Sequence, residues 1–286
     1  MTAAPSVPTS SAPPAESPPP TQPPASLLPR GGRQILPDYR VVAFYGAGGT
    51  ALLGVLGRGT PDEAAAAVQR QAARYERFGR PVQPAMELLA TVAQRSPGRD
   101  SRYSLPVPSS EIARYLAAAH RHRMLLILDI QPGRGEFLPQ VEQLAPFLTD
   151  PSVSIALDPE WKVGPHEVPG TVIGSASAAS INAVADYLHD LVAEHNLPDK
   201  LLVVHEFTAS MLPGRDAIER PAGVEVVIHA DGFGSPRLKI GVYHQLALPV
   251  PPFHAGFKLF YRQDGRLMTP AQVMALRPQP DIVTYQ

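Results

Sequence analysis

From about residue 40 onward, short continuous apolar runs alternate with longer segments in which apolar residues recur at helical spacing. A continuous run suits a strand buried on both faces, and the helical segments suit the crossovers between parallel strands. The runs fall at 40–45, 85–93, 124–130, 153–158, 201–207, 224–229, 257–261 and 281–285, which makes eight. Between them the pattern predicts helices over 60–78, 109–121, 136–148 and 178–195, and a shorter one over 269–276. Thr60 followed by Pro61 reads as an N-cap with proline at the first helical position. The connections around 210–218 and 236–246 are less regular. Eight strands with helical crossovers predict an α/β fold, a single (β/α)8 barrel of the TIM type, ahead of an open doubly wound sheet.

Composition sets the limits of that domain. Ten of the 34 prolines precede residue 30, in a Pro/Ala/Ser/Thr-rich stretch with almost no large apolar side chains. Such a stretch cannot bury enough surface to offset its ordering entropy, so residues 1–34 are expected to be a disordered spacer and 35–286 the barrel. The net charge is −1 with the two signs interspersed, which implies neither nucleic acid nor an anionic membrane as a partner. Without cysteine the chain has no disulfide, no catalytic thiolate and no thiolate-bound zinc. It has no apolar run long enough for a transmembrane segment, and Met1 is not followed by the basic and apolar regions of a signal peptide. A Pro-rich spacer ahead of a globular domain nevertheless fits an extracytoplasmic or cell-surface-tethered protein.

The chemistry concentrates where the strands end. Tyr45 closes the first run, Glu87 lies in the second, and Asp129 and Gln131 end the third. Asp158, Glu160 and Trp161 end the fourth, His205 and Glu206 the fifth, His229 and Asp231 the sixth, and Lys258 and Tyr261 lie in the seventh. In a barrel these ends gather into one pocket. If 153–160 stays extended, Asp158 and Glu160, two residues apart, share one face. Crowding of like charge then raises the pKa of Glu160 and suits it to act as a general acid. The expected catalytic set is Glu160, Asp158 and Glu206, with Tyr45, Glu87, Asp129, Gln131, Trp161, His205, Asp231 and Tyr261 binding substrate. His205 and Glu206 point to opposite faces of one strand and leave no facial set of three ligands, so no metal and no cofactor is expected. Gly46-Ala47-Gly48-Gly49 lacks the remainder of any nucleotide-binding fingerprint and reads as a loop.

Leu157-Asp158-Pro159-Glu160-Trp161 resembles the strand-four Asp-x-Glu signature of chitinase-like barrel glycosidases, although Val153 and Ala156 occupy the positions of two further aspartates. Segments 40–46, 157–161, 200–205 and 231–234 resemble uncharacterised actinobacterial envelope proteins or lipoproteins. The first resemblance implies a glycoside hydrolase acting on a cell-envelope or environmental polysaccharide; the second implies an extracytoplasmic setting and supplies no reaction. The alternatives are a catalytically silent glycan-binding envelope protein and a metal-dependent hydrolase.

Overall fold

A computed structural model describes residues 1–2, 25–247 and 253–286. The barrel is built from eight parallel strands: β1 (Arg40–Gly46), β2 (Val82–Ala93), β4 (Leu125–Ile130), β5 (Val153–Leu157), β6 (Lys200–Glu206), β7 (Val224–Ala230), β8 (His254–Leu259) and β9 (Ile282–Tyr285). It closes because β1 pairs with both β2 and β9. A short strand, β3 (Ser104–Pro106), runs antiparallel to the extended end of β2 and lies outside the eightfold ring. The helices are α1 (Pro61–Ala73), α2 (Ser109–His122), α3 (Phe137–Glu142), α4 (Ala145–Leu148), α5 (Ala178–His195), α6 (Pro236–Ala247) and α7 (Pro270–Met274). Thr60 caps α1 in a capping box with Glu63, and Thr269 does the same for α7 with Gln272. The single helix expected over 136–148 is two, because Pro146 has no amide hydrogen and its ring excludes the carbonyl four residues back.

Strand alternation divides the apolar residues between two cores. On β4, Leu126, Leu128 and Ile130 face the helices, while Leu125 and Ile127 face the barrel axis. On β6 the same rule sends Leu202 and Val204 outward and Leu201 and Val203 inward. The axis is therefore filled at one end by Val41, Ala43, Ala85, Ala156 and Val227 with these residues. Leu28, Ile35 and Leu36 plug that end from outside. Arg33 ties the plug down by donating to the carbonyls of Ser26, Asn196 and Leu197. The expected spacer thus divides: residues 3–24 lie outside the described residues, and the part from Leu28 packs under the barrel. Among the described residues no helix is long and apolar enough to cross a membrane.

Candidate functional site

The same alternation that fills one end of the axis with aliphatic side chains turns polar at the other. Two residues beyond Ile127 and Val203 come Asp129 and His205, both wholly buried. Tyr45, Glu87, His229 and Lys258 join them from β1, β2, β7 and β8, with Asp231 just past β7. Gly256 makes room for this layer, since a Cβ there would run into Nδ1 of His229.

His205 is the hub. Its Nε2 lies 2.8 Å from Glu87 Oε1 and its Nδ1 3.2 Å from Asp231 Oδ2. Burial and the Lys258 charge oppose protonation of the imidazole, but its two carboxylate partners prevail and raise its pKa well above the usual histidine value. Burial likewise raises the Glu87 carboxyl, yet the bond to and charge of His205 outweigh it and hold Glu87 at about 2. Thr284 Oγ1 donates to the other Glu87 oxygen at 3.0 Å. Next to this network His229 is pushed down to about 3 by burial and by the His205 charge, so it is a neutral ring. Lys258 Nζ sits 3.6 Å from the centre of the Tyr45 ring and 3.9 Å from Asp231 Oδ2.

Above this layer opens a cavity of about 490 Å³. Its floor is polar, with Tyr45, Gln131, Asp158, Asp231 and Lys258. Its walls are largely apolar, including Leu89, Val92, Phe207, Val242 and Phe260, and the exposed Phe233 and Leu238 reach it from the β7–α6 side. Gln131 Nε2 donates to Tyr45 Oη at 3.2 Å, fixing the tyrosine at the floor. Burial, and then the neighbouring Asp129, raise Asp158 well above the carboxylate range. For Asp231 the hydrogen bond and charge of His205 overcome burial, and its pKa is lowered. Two carboxyl groups of one cavity thus differ in their affinity for a proton. Glu87, Asp129 and His205 lie beneath the floor, each offering one ligand atom within 4.8 Å of the others, and these three residues could hold a metal ion.

Of the residues expected from sequence, Tyr45, Gln131, Asp158, Glu160, Trp161 and Asp231 line the cavity. Glu206 does not: it leaves β6 on the outer face and pairs with Arg215 at 2.8 Å. Tyr261 does not either, because it stacks on Tyr285 at a centroid distance of 5.5 Å, beside Phe44. Asp158 and Glu160 do not share a strand face. β5 ends at Leu157 and Pro159–Trp161 forms a 3-10 turn, so Glu160 reaches the cavity from a turn and remains partly exposed. Asp264, the first carboxylate after β8, is bound to Lys239 Nζ at 3.1 Å and accepts from the amides of Gly234 and Phe260. His229, Lys258 and Thr284 also belong to the layer; the first two stand among the polar strand ends in the sequence, without a catalytic or binding role expected of them. The signal for Lys258 was its place two residues after Gly256; a threonine in a closing strand carries none.

No family model matches the chain, and no curated protein matches it by sequence. Among solved structures the chain is similar to the wild-type sialic acid aldolase of Ruminococcus gnavus, with 12% identity over 87% of this chain and 68% of that one and a TM-score of 0.41. That likeness is one of fold. The expectation of a glycoside hydrolase is corrected: no family model and no curated protein matches the chain, so the strand-four resemblance on which the expectation rested has no support. The geometry gives a physical reason as well: β5 ends at Leu157 and Glu160 lies in a 3-10 turn, so the strand-face pairing of Asp158 with Glu160 that suited Glu160 to be the acid is absent.

Proposed function

We propose that the cavity binds a small molecule with an apolar body and a carbonyl group, and catalyses proton transfer at the carbon next to that carbonyl. The observation that carries this reading is the convergence of Lys258, Asp231 and Asp158 on the floor of an otherwise apolar cavity. Abstraction of such a proton needs a base for the carbon acid and positive charge or a proton donor at the oxygen where charge develops. Asp231, held ionised by His205, serves as the base. The Lys258 ammonium and the protonated Asp158 serve the oxygen, and dry walls strengthen both interactions. The apolar walls take the rest of the molecule.

A thermal-shift screen of aldehydes, ketones and 2-oxo acids against the matching alcohols tests this. Carbonyl compounds should raise the melting temperature of the wild type and not of Lys258→Met. Equal shifts in both proteins, or shifts by the alcohols alone, would count against the reading. The Pro-rich composition before the barrel supports an extracytoplasmic placement, which fractionation of the source cells checks; recovery in the cytosolic fraction contradicts it.

A further inference from the structure

Beneath the cavity floor lies a group of side chains that the proton-transfer reading does not use as reacting groups. Glu87, Asp129 and His205 come from three different strands, and their ligand atoms all lie within 4.8 Å of one another. Asp129 is fully buried, and neither of its oxygens has a hydrogen-bonding partner among the described residues. Burial disfavours its charge, and the neighbouring His205 and Lys258 charges offset this only in part, so its pKa stays raised. A buried carboxylate left in this way costs several kcal/mol unless something positive meets it. The neighbourhood is also crowded with acids. Glu87, Asp129, Asp158 and Asp231 are all buried around the His205 and His229 imidazoles and the Lys258 ammonium.

We propose that Glu87, Asp129 and His205 form a binding site for one divalent first-row transition-metal ion. The donor set is one imidazole nitrogen and two carboxylates, with no thiolate in the chain, which suits zinc, manganese or iron(II). The surroundings match those of ligands held in place from behind. His205 turns Nε2 to the site and holds Nδ1 3.2 Å from Asp231 Oδ2, so that a carboxylate stands behind the ring, where one commonly orients a ligating histidine. Glu87 keeps one oxygen for the site while the other accepts from Thr284. On binding, His205 gives up its Nε2 proton to solvent, so uptake releases a proton. None of the three residues lines the cavity, so the ion is sealed below the floor and exchanges only when the barrel opens. This site stands independently of the carbonyl reading, because its test needs no substrate.

The test is elemental analysis of the full-length protein after gel filtration in chelator-treated buffer, and again after unfolding with chelator and refolding with zinc, manganese or iron(II). The expected result is about one equivalent of a single divalent metal, a higher melting temperature than the metal-free refolded protein, and loss of the metal in Asp129→Asn and Glu87→Gln. His254→Gln, which alters the half-buried His254 between Glu225 and Asp281, should retain it. If the site variants do not fold, X-ray absorption on the loaded wild type decides, with a shell of oxygen plus one imidazole expected. Absence of stoichiometric metal before and after refolding overturns the proposal. So does metal retained by both site variants and lost in His254→Gln, or an absorption shell without imidazole.

Discussion

The Lys258 ammonium lies over the face of Tyr45, 3.6 Å from the ring centre. A cation held on an aromatic face away from bulk water gains on the order of 2 kcal/mol, enough to fix where the charge stands. Tyr45→Phe keeps that face and removes only the hydroxyl, whereas Tyr45→Leu removes both. Turnover of an identified carbonyl substrate should therefore fall much less in Tyr45→Phe than in Tyr45→Leu, with kcat carrying the difference. Equal losses would place the importance of Tyr45 in its hydroxyl instead.

Asp158 and Glu160 exchange the weights that the sequence suggests. Asp158 is buried on the floor with its pKa well above the carboxylate range, while Glu160 enters from a turn, is partly exposed, and is raised by burial and then by Asp231. Asp158→Asn is expected to lower activity by at least about 10²-fold, the usual scale for a lost general acid. Glu160→Gln should cost less than about tenfold, because Gln keeps the shape of the rim. Steady-state kinetics of the two variants on one substrate check the order.

At the opposite end of the barrel, His254 bridges Asp281 and Glu225, each at 3.0 Å. Burial pushes the imidazole down, but these two carboxylates prevail and bring it up to about 9. Its folded pKa lies above the unfolded value near 6.5, so the stability it contributes is complete below that value and is lost as pH rises toward 9. The group is partly exposed and solvent screens the pair, so the effect is modest. Melting temperature measured from pH 6 to 9.5 should fall more steeply in the wild type than in His254→Gln. Parallel curves would contradict the assignment.

Deleting residues 1–24 removes only Pro-rich, weakly apolar sequence and should leave the melting temperature unchanged. Deleting 1–34 also removes Leu28 from under the barrel and the Arg33 hydrogen bonds to Asn196 and Leu197. Burial of one leucine is worth about 1.5–3 kcal/mol, which for a domain of this size is a drop of several degrees. Differential scanning calorimetry of the two truncations distinguishes the plug from the segment before it.

The barrel was legible because parallel strands buried on both faces leave continuous apolar runs, and eight such runs stood out. That same property hid the inward face: in Leu125–Ile130 every residue but Asp129 is apolar, so only the period of two counted from a polar residue reveals which side meets the axis. β8 begins at His254 rather than at 257, so Lys258 occupies an inward position well along its strand and not near its start. The extended reading of 157–160 failed because Pro159 cannot donate to the sheet and starts a 3-10 turn. Glu206 was misplaced for the simplest reason: it neighbours His205, and neighbours on a strand face opposite sides.

The most direct test of the proton-transfer reading follows the exchange of hydrogens next to the carbonyl by proton NMR in heavy water, using the compounds that shift the melting temperature. The wild type should exchange these hydrogens catalytically, with the rate falling by at least about 10²-fold in Asp231→Asn and in Lys258→Met while both variants remain folded. Catalytic exchange that survives Asp231→Asn, or its absence for every carbonyl ligand that binds, contradicts the account.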